Sequence, residues 1–231
     1  MNRELIGRWL AEVAGTALLV GIGTGTVVAA GRSGGIPQDL MAAAWFVAVL
    51  APILLFVEIS GAHLNPVVTL ALALSRRFEW KLVPGYWVSQ FAGAFVASGL
   101  VLVTMGRGTY LGATVPSQGQ LLAGFAGEAT FTALLVACVF LLADHGPGRL
   151  RWRFLLPPLA VGLSTYVIGP LTGSSLNPAR TVSPAVLSGT YTDLGLYLTV
   201  VPLASVAVAI AWGRRPFTTS ARRAGAASEP P

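Results

Sequence analysis

Charge is scarce in this sequence: nine acidic and fifteen basic residues make up only 10% of its 231 positions. That is too little ionised surface for a water-soluble domain of this size. Cysteine occurs once, at Cys138 within an apolar run, so there is no disulfide framework and no cysteine-based metal cluster. The bases outnumber the acids to give a net charge of +6, yet they form no basic stripe or aromatic-basic platform, which argues against a nucleic-acid partner. No nucleophile–base–orienter set is visible, so nothing in the chain points to an enzyme.

What is present in excess is hydrocarbon. Apolar residues make up 54% of the chain, and its mean hydropathy is +0.71. They fall into long runs. A bilayer core of about 30 Å takes roughly 20 residues of helix to cross, and six stretches approach that length: Trp9–Ala30, Asp39–Ile59, Pro84–Met105, Leu122–Ala143, Phe154–Leu171 and Leu194–Gly213. The fifth is short, with Pro157, Pro158 and Pro170 near its ends. The first contains Glu12 and lacks a small-residue cleavage pattern, so it reads as a span rather than a signal peptide. Lipid is the expected solvent, and residues 1–213 the expected single channel-sized domain. The polar tail 214–231 is expected to be disordered.

Lysine and arginine concentrate on the cytoplasmic side of membrane proteins. With the amino terminus inside, twelve bases fall on that side (Arg3, Arg8, Arg76, Arg77, Lys81, Arg149, Arg151, Arg153, Arg214, Arg215, Arg222, Arg223). Only Arg32, Arg107 and Arg180 fall outside. Both termini are therefore expected in the cytoplasm, with the chain in the plasma membrane (the inner membrane of a bacterium).

Two further apolar segments, Pro66–Ser75 and Pro178–Ser188, are too short to span. Each makes a helix of about 15 Å, half a membrane. Both follow an asparagine, and proline suits a first helical turn because its missing N–H has no partner there. One belongs to a cytoplasmic loop and the other to an outer loop. If both re-enter, their amino-terminal ends meet near the midplane. The chain also repeats: Glu12-Val-Ala-Gly-Thr16-Ala-Leu-Leu-Val20 recurs 116 residues on as Glu128-Ala-Thr-Phe-Thr132-Ala-Leu-Leu-Val136, and Asn65-Pro66 recurs 112 residues on as Asn177-Pro178. Each half, about 9–105 and 122–213, thus holds three spans and one re-entrant segment. An odd number of spans inverts the second half relative to the first, and such repeats place a permeation site at their interface.

Ser60-Gly-Ala-His63-Leu64-Asn65-Pro66-Val67-Val-Thr69 and Gly173-Ser174-Ser175-Leu176-Asn177-Pro178-Ala179-Arg180 resemble the paired signature loops of the aquaporin and glycerol-facilitator family, across about Trp9 to Gly213. The first copy departs from the family's pattern in reading Asn-Pro-Val. The resemblance implies an all-α membrane fold of six spans and two half-helices. It also implies passive passage of water and small neutral solutes without a cofactor, and usually a homotetramer with one pore per subunit. Small residues such as Gly93, Ala94 and Ala97 permit close helix contact.

Irregular backbone at membrane depth survives only where it lines a cavity or is buried in protein. On this reading the strips 61–64 and 173–176, including His63, Leu64, Ser175 and Leu176, offer carbonyls to a file of waters. Asn65 and Asn177 offer amide donors at the centre, where two helix amino termini add positive partial charge that disfavours cations and proton hopping. The resemblance implies that Trp45, Ser174 and Arg180 belong to the narrowest constriction, with the fourth position at Thr165 in span five. An interfacial anchor remains the alternative for Trp45, and packing or capping the alternative for His63. Ionisable residues inside spans flag function. By resemblance Glu12 and Glu128 hold the re-entrant loops, and proton coupling in a secondary transporter is the competing role. Trp45 is similar to glycerol channels, whereas Thr181 and Ala185 are similar to water channels. Glu58, Cys138 and His145 receive no role.

Overall fold

The computed structural model describes residues 3–145 and 151–213. Arg149, the tail arginines Arg214, Arg215, Arg222 and Arg223, and the state of the tail lie outside the described residues, as do the side chains of His145 and Arg151. The described chain contains eight α-helices: α1 Arg3–Arg32, α2 Gln38–Ser60, α3 Pro66–Leu74, α4 Val83–Met105, α5 Leu121–His145, α6 Leu156–Thr172, α7 Pro178–Ser188 and α8 Leu194–Trp212. Six of them (α1, α2, α4, α5, α6, α8, two with short 3-10 extensions) are long and apolar enough to cross a membrane. The other two, α3 and α7, have nine and eleven residues. This is the six-span, two-half-helix arrangement that the resemblance implies. Its even number of spans brings both ends of the described chain to one face, the terminal face; the other is the far face.

The first helix begins at Arg3, six residues before the apolar run, where Arg8 and Glu4 pair across one turn at 2.5 Å. Hydropathy marks the slab, and polar turns that project beyond it are invisible to such a count.

The bundle is apolar outside as well as inside. Val103 and Leu122 are 84% and 88% exposed on the outward faces of α4 and α5, as suits contact with lipid. Close packing between helices depends on small residues. A side chain at Gly93 would run into the Val13 carbonyl of α1, and Ala94 and Ala97 are buried. These three therefore serve the contact between α4 and α1 within one chain. Gly23 leaves room for the Trp45 ring, which a Cβ would meet at 2.5 Å. Proline interrupts α2, α6, α7 and α8 at Pro52, Pro170, Pro184 and Pro202.

The half-helices are tied to the spans around them by polar contacts. Trp87 Nε1 of α4 donates to the Pro66 carbonyl at 3.0 Å, and Ser205 Oγ of α8 to the Val67 carbonyl at 2.7 Å. Ser98 and Ser183 join α4 to α7 at 2.9 Å. On the terminal face, Arg77 makes a bidentate pair with Asp144 at 2.7 and 3.0 Å, lies 4.6 Å over the Phe140 ring, and so clamps the exit of α3 onto α5. Trp212 Nε1 donates to the same carboxylate at 3.1 Å, which brings in the end of α8.

Candidate functional site

The two re-entrant loops share one backbone pattern. Gly61 and Gly173 end α2 and α6 in the left-handed region, each donating its N–H to a carbonyl four residues back. Beyond them Ala62, Leu64, Ser174 and Leu176 also hold positive φ, from 48 to 56°. Non-glycine residues adopt that region at a cost, so something outside each loop must hold it.

Buried carboxyl groups do so in both halves. In the first, Glu12 Oε1 accepts from Ser60 Oγ at 2.7 Å and from the His63 N–H at 2.9 Å, and Oε2 accepts from the Leu64 N–H at 2.8 Å. In the second, Glu128 accepts from Thr172 Oγ1, Ser175 N–H and Leu176 N–H at 2.7, 2.8 and 3.1 Å. Ser60 and Thr172 in turn accept the N–H two residues on. Tyr86 and Tyr197 donate to the Ser60 and Thr172 carbonyls at 2.7 and 2.6 Å. The tyrosine pair is a further echo of the repeat, 111 residues apart, but the residues flanking the two tyrosines share no identity that would mark it in the sequence. Gln90 breaks the symmetry: its amide donates to Glu12 Oε2 at 2.8 Å and to Thr69 Oγ1 at 2.9 Å. No local pattern in the sequence marks it.

Asn65 and Asn177 are the N-caps of α3 and α7. Each accepts through Oδ1, from the Val67 N–H in one case and from the Ala179 and Arg180 N–H groups in the other, with Pro66 and Pro178 opening the first turns. Their amide nitrogens cross between the halves: Asn65 Nδ2 donates to the Leu176 carbonyl at 2.8 Å, and Asn177 Nδ2 to the Leu64 carbonyl at 2.9 Å. Each amide group has a second N–H, and both asparagines line a cavity of about 310 Å³. Val67 does not line it; the larger residue at that position is buried in the protein, at 2% exposure.

The cavity runs from Trp45 and Arg180, at its far-face end, past Ser174 and the two asparagines to Glu58 and Arg77, at its terminal-face end. His63, Leu64, Ser175 and Leu176 all line it, opposite an apolar wall that includes Val49, Ile53 and Val161. His63 is also fixed in place. Its Nδ1 lies 3.1 Å from Thr69 Oγ1, and its ring packs on Phe78 and Tyr86 with centroids 4.6 and 4.9 Å away. Lining and packing thus coexist at this residue. At the far-face end Arg180 donates to the Gly112 and Gly173 carbonyls at 2.9 and 3.1 Å and lies 4.6 Å over the Trp45 ring. Ser174 Oγ lies 2.7 Å from Ser164 Oγ of α6. Thr165, next to that serine, is buried but is not on the cavity wall, unlike Trp45, Ser174 and Arg180.

The carbonyl of Gly112 comes from an unusual turn. Thr109, Tyr110 and Leu111 stand in succession at φ 46, 51 and 56°, followed by Gly112 at 70°. Leu111, fully buried against Val28 and Val101, anchors this turn, and Thr24 packs where Gly112 would carry a side chain. Among the described residues no group of three or more His, Cys, Asp or Glu could hold a metal ion.

The family model described as "Major intrinsic protein" matches residues 2–212. The chain is 36% identical over 224 residues to Aquaporin NIP1-1 of Zea mays, covering 94% of this chain and 78% of that protein. It is 38% identical over 216 residues to a glycerol uptake facilitator protein of Pseudomonas aeruginosa, covering 80% and 75%. The X-ray structure of the aquaglyceroporin from Plasmodium falciparum superposes with a TM-score of 0.77 at 24% identity, over 90% of this chain and 95% of that one, a likeness of fold.

Proposed function

The chain belongs to the major intrinsic protein family, and from that premise we propose that it is a passive channel for water and small neutral solutes that excludes protons and ions. One observation carries this reading. A single cavity connects Arg180 to Arg77, and its polar side is made by the two re-entrant loops with an asparagine cap from each half at its centre. Water passing there would exchange hydrogen bonds with the loop carbonyls, then receive donors from Asn65 and Asn177. Two half-helix amino termini make that position unfavourable for cations. Trp45, Ser174 and Arg180 form three sides of the constriction in this reading, with the α6 segment at Thr165 the fourth. Glu12 and Glu128 support the loops. Their matched sets of loop donors favour that role over proton coupling.

The breadth of solutes is a second reading with its own support. The Trp45 ring and the aliphatic wall give the cavity a greasy face suited to the carbon backbone of a small polyol. The similarity to a glycerol uptake facilitator adds to this. The charge asymmetry of the loops supports an orientation with both termini in the cytoplasm, and we infer a homotetramer in the plasma membrane.

Stopped-flow swelling of proteoliposomes tests these readings in one experiment, with water, glycerol, urea and ammonia as permeants, with and without a pH gradient. We expect fast water flux, measurable glycerol flux and no dependence on the proton gradient. Uptake against a gradient, driven by pH, would replace the channel reading with a transporter.

A further inference from the structure

The constriction has a wall whose position the backbone of α6 does not fix by itself. Pro170 carries no N–H, so the Tyr166 carbonyl lacks its helical partner just where α6 approaches the far face. Gln38, the first residue of α2, fills the gap: its Nε2 donates to the Thr165 carbonyl at 2.6 Å and reaches the Tyr166 carbonyl at 3.4 Å. Room for that amide comes from Gly169, where a Cβ would meet Gln38 Nε2 at 3.2 Å. One face of the same helix carries Gly162, which leaves room for Phe46 and the Ala42 carbonyl of α2, each of which a Cβ there would meet at 3.3 Å.

We propose that Gln38 is a specificity-determining positioning residue, tying α6 to α2 so that this helix, which puts Val161 on the cavity wall and holds Ser174 through Ser164, stands at a fixed distance from Trp45. The inference rests on the channel reading above. Gln38 and Trp45 are two turns apart on one side of α2. From the tied turn of α6 the path to the cavity is short: Ser164 bonds Ser174, and the neighbouring Gly173 carbonyl accepts from Arg180. Gln38 is not on the cavity wall and touches no permeant; it acts through α6.

The full-length protein in proteoliposomes tests this through the ratio of glycerol to water permeability, which a change in the number of folded channels leaves untouched. Gln38→Leu removes the donor at similar volume. The freed turn should widen the constriction and raise the ratio roughly fivefold, the factor matching one ordinary hydrogen bond. Gln38→Lys keeps a donor and should return the ratio toward that of the parent. Gln118→Leu, the same exchange at an exposed position in a far-face loop, should leave it unchanged. If Gln38→Leu does not fold, Gly169→Ala displaces the amide by its Cβ and should move the ratio the same way. A parent that conducts while its variants keep the parental ratio overturns this inference alone, as does a Gln38→Lys protein that behaves like Gln38→Leu. A parent that passes neither permeant overturns the channel reading itself.

Discussion

Arg180 is nearly inaccessible, at 2% exposure, with two backbone carbonyls and one indole face as its neighbours. A fixed cation so placed repels other cations and fills part of the cavity with its own bulk. Arg180→Val removes both effects: glycerol and urea should pass faster in swelling assays, and planar-bilayer recordings should show a cation leak absent from the parent. Asn177→Asp acts at the centre, placing a carboxylate where two helix amino termini converge; it should lower water flux and admit cations, read in the same two assays. Ser174 offers a sharper test of geometry. It lines the cavity, whereas the sole thiol, Cys138, is off the cavity wall and buried in a cluster with Leu135, Phe140 and Ala160. The parent should therefore conduct in mercuric chloride at nearly full rate, and Ser174→Cys should become blockable and recover on adding a thiol reductant. Full conduction by a labelled Ser174→Cys protein would place that residue off the path.

Each re-entrant loop holds two non-glycine residues in the left-handed region, at about 1–3 kcal/mol apiece, and a carboxyl group from a neighbouring span offsets that strain. Glu12→Gln and Glu128→Gln turn one acceptor oxygen into a donor facing other donors, at about 1–3 kcal/mol for each group left unsatisfied. Thermal unfolding in detergent should show both variants destabilised. Glu12→Gln should suffer more, because Gln90 adds a fourth donor, whereas Glu128 has three among the described residues. At this scale much was legible in the sequence, since spans and half-helices are written in local patterns: apolar runs, Asn-Pro pairs, a recurring Glu-x-x-x-Thr. What local patterns cannot carry is the partner of a side chain far away in the chain. Gln38 and its carbonyl are separated by 127 residues, Gln90 and its carboxyl by 78, and Arg180 and Gly112 by 68. The turn at Thr109–Gly112 was hidden for another reason: three non-glycine residues there have no propensity for the conformation that tertiary packing imposes. Thr165, the fourth constriction position implied by the resemblance, is buried off the cavity wall, to which α6 contributes Pro157 and Val161.

For the whole molecule, ordinary solubility logic is inverted, with aliphatic side chains outward and polar networks inward. The Arg77–Asp144 pair is the ionic link in that interior among the described residues, at 7% and 8% side-chain exposure. Asp144→Ala would leave the guanidinium only the long contacts to the Ser75 and Gly213 carbonyls, a loss of up to about 3–5 kcal/mol for a buried pair, visible as a lowered unfolding temperature. The crossed amides at the centre bear on how the molecule comes into being. Asn65 receives its acceptor from Leu176 and repays the bond through Asn177 to Leu64, so a ribosome that has delivered α3 has still to make more than a hundred residues before the seat for that helix exists. Until then the half-helix would have unanswered polar groups in hydrocarbon, which lipid does not tolerate. Membrane insertion of the first half is therefore provisional. A chain arrested at residue 145 with Val67→Cys should react with a water-soluble maleimide that the finished protein excludes, and protection should arise only once α7 has been released into the bilayer.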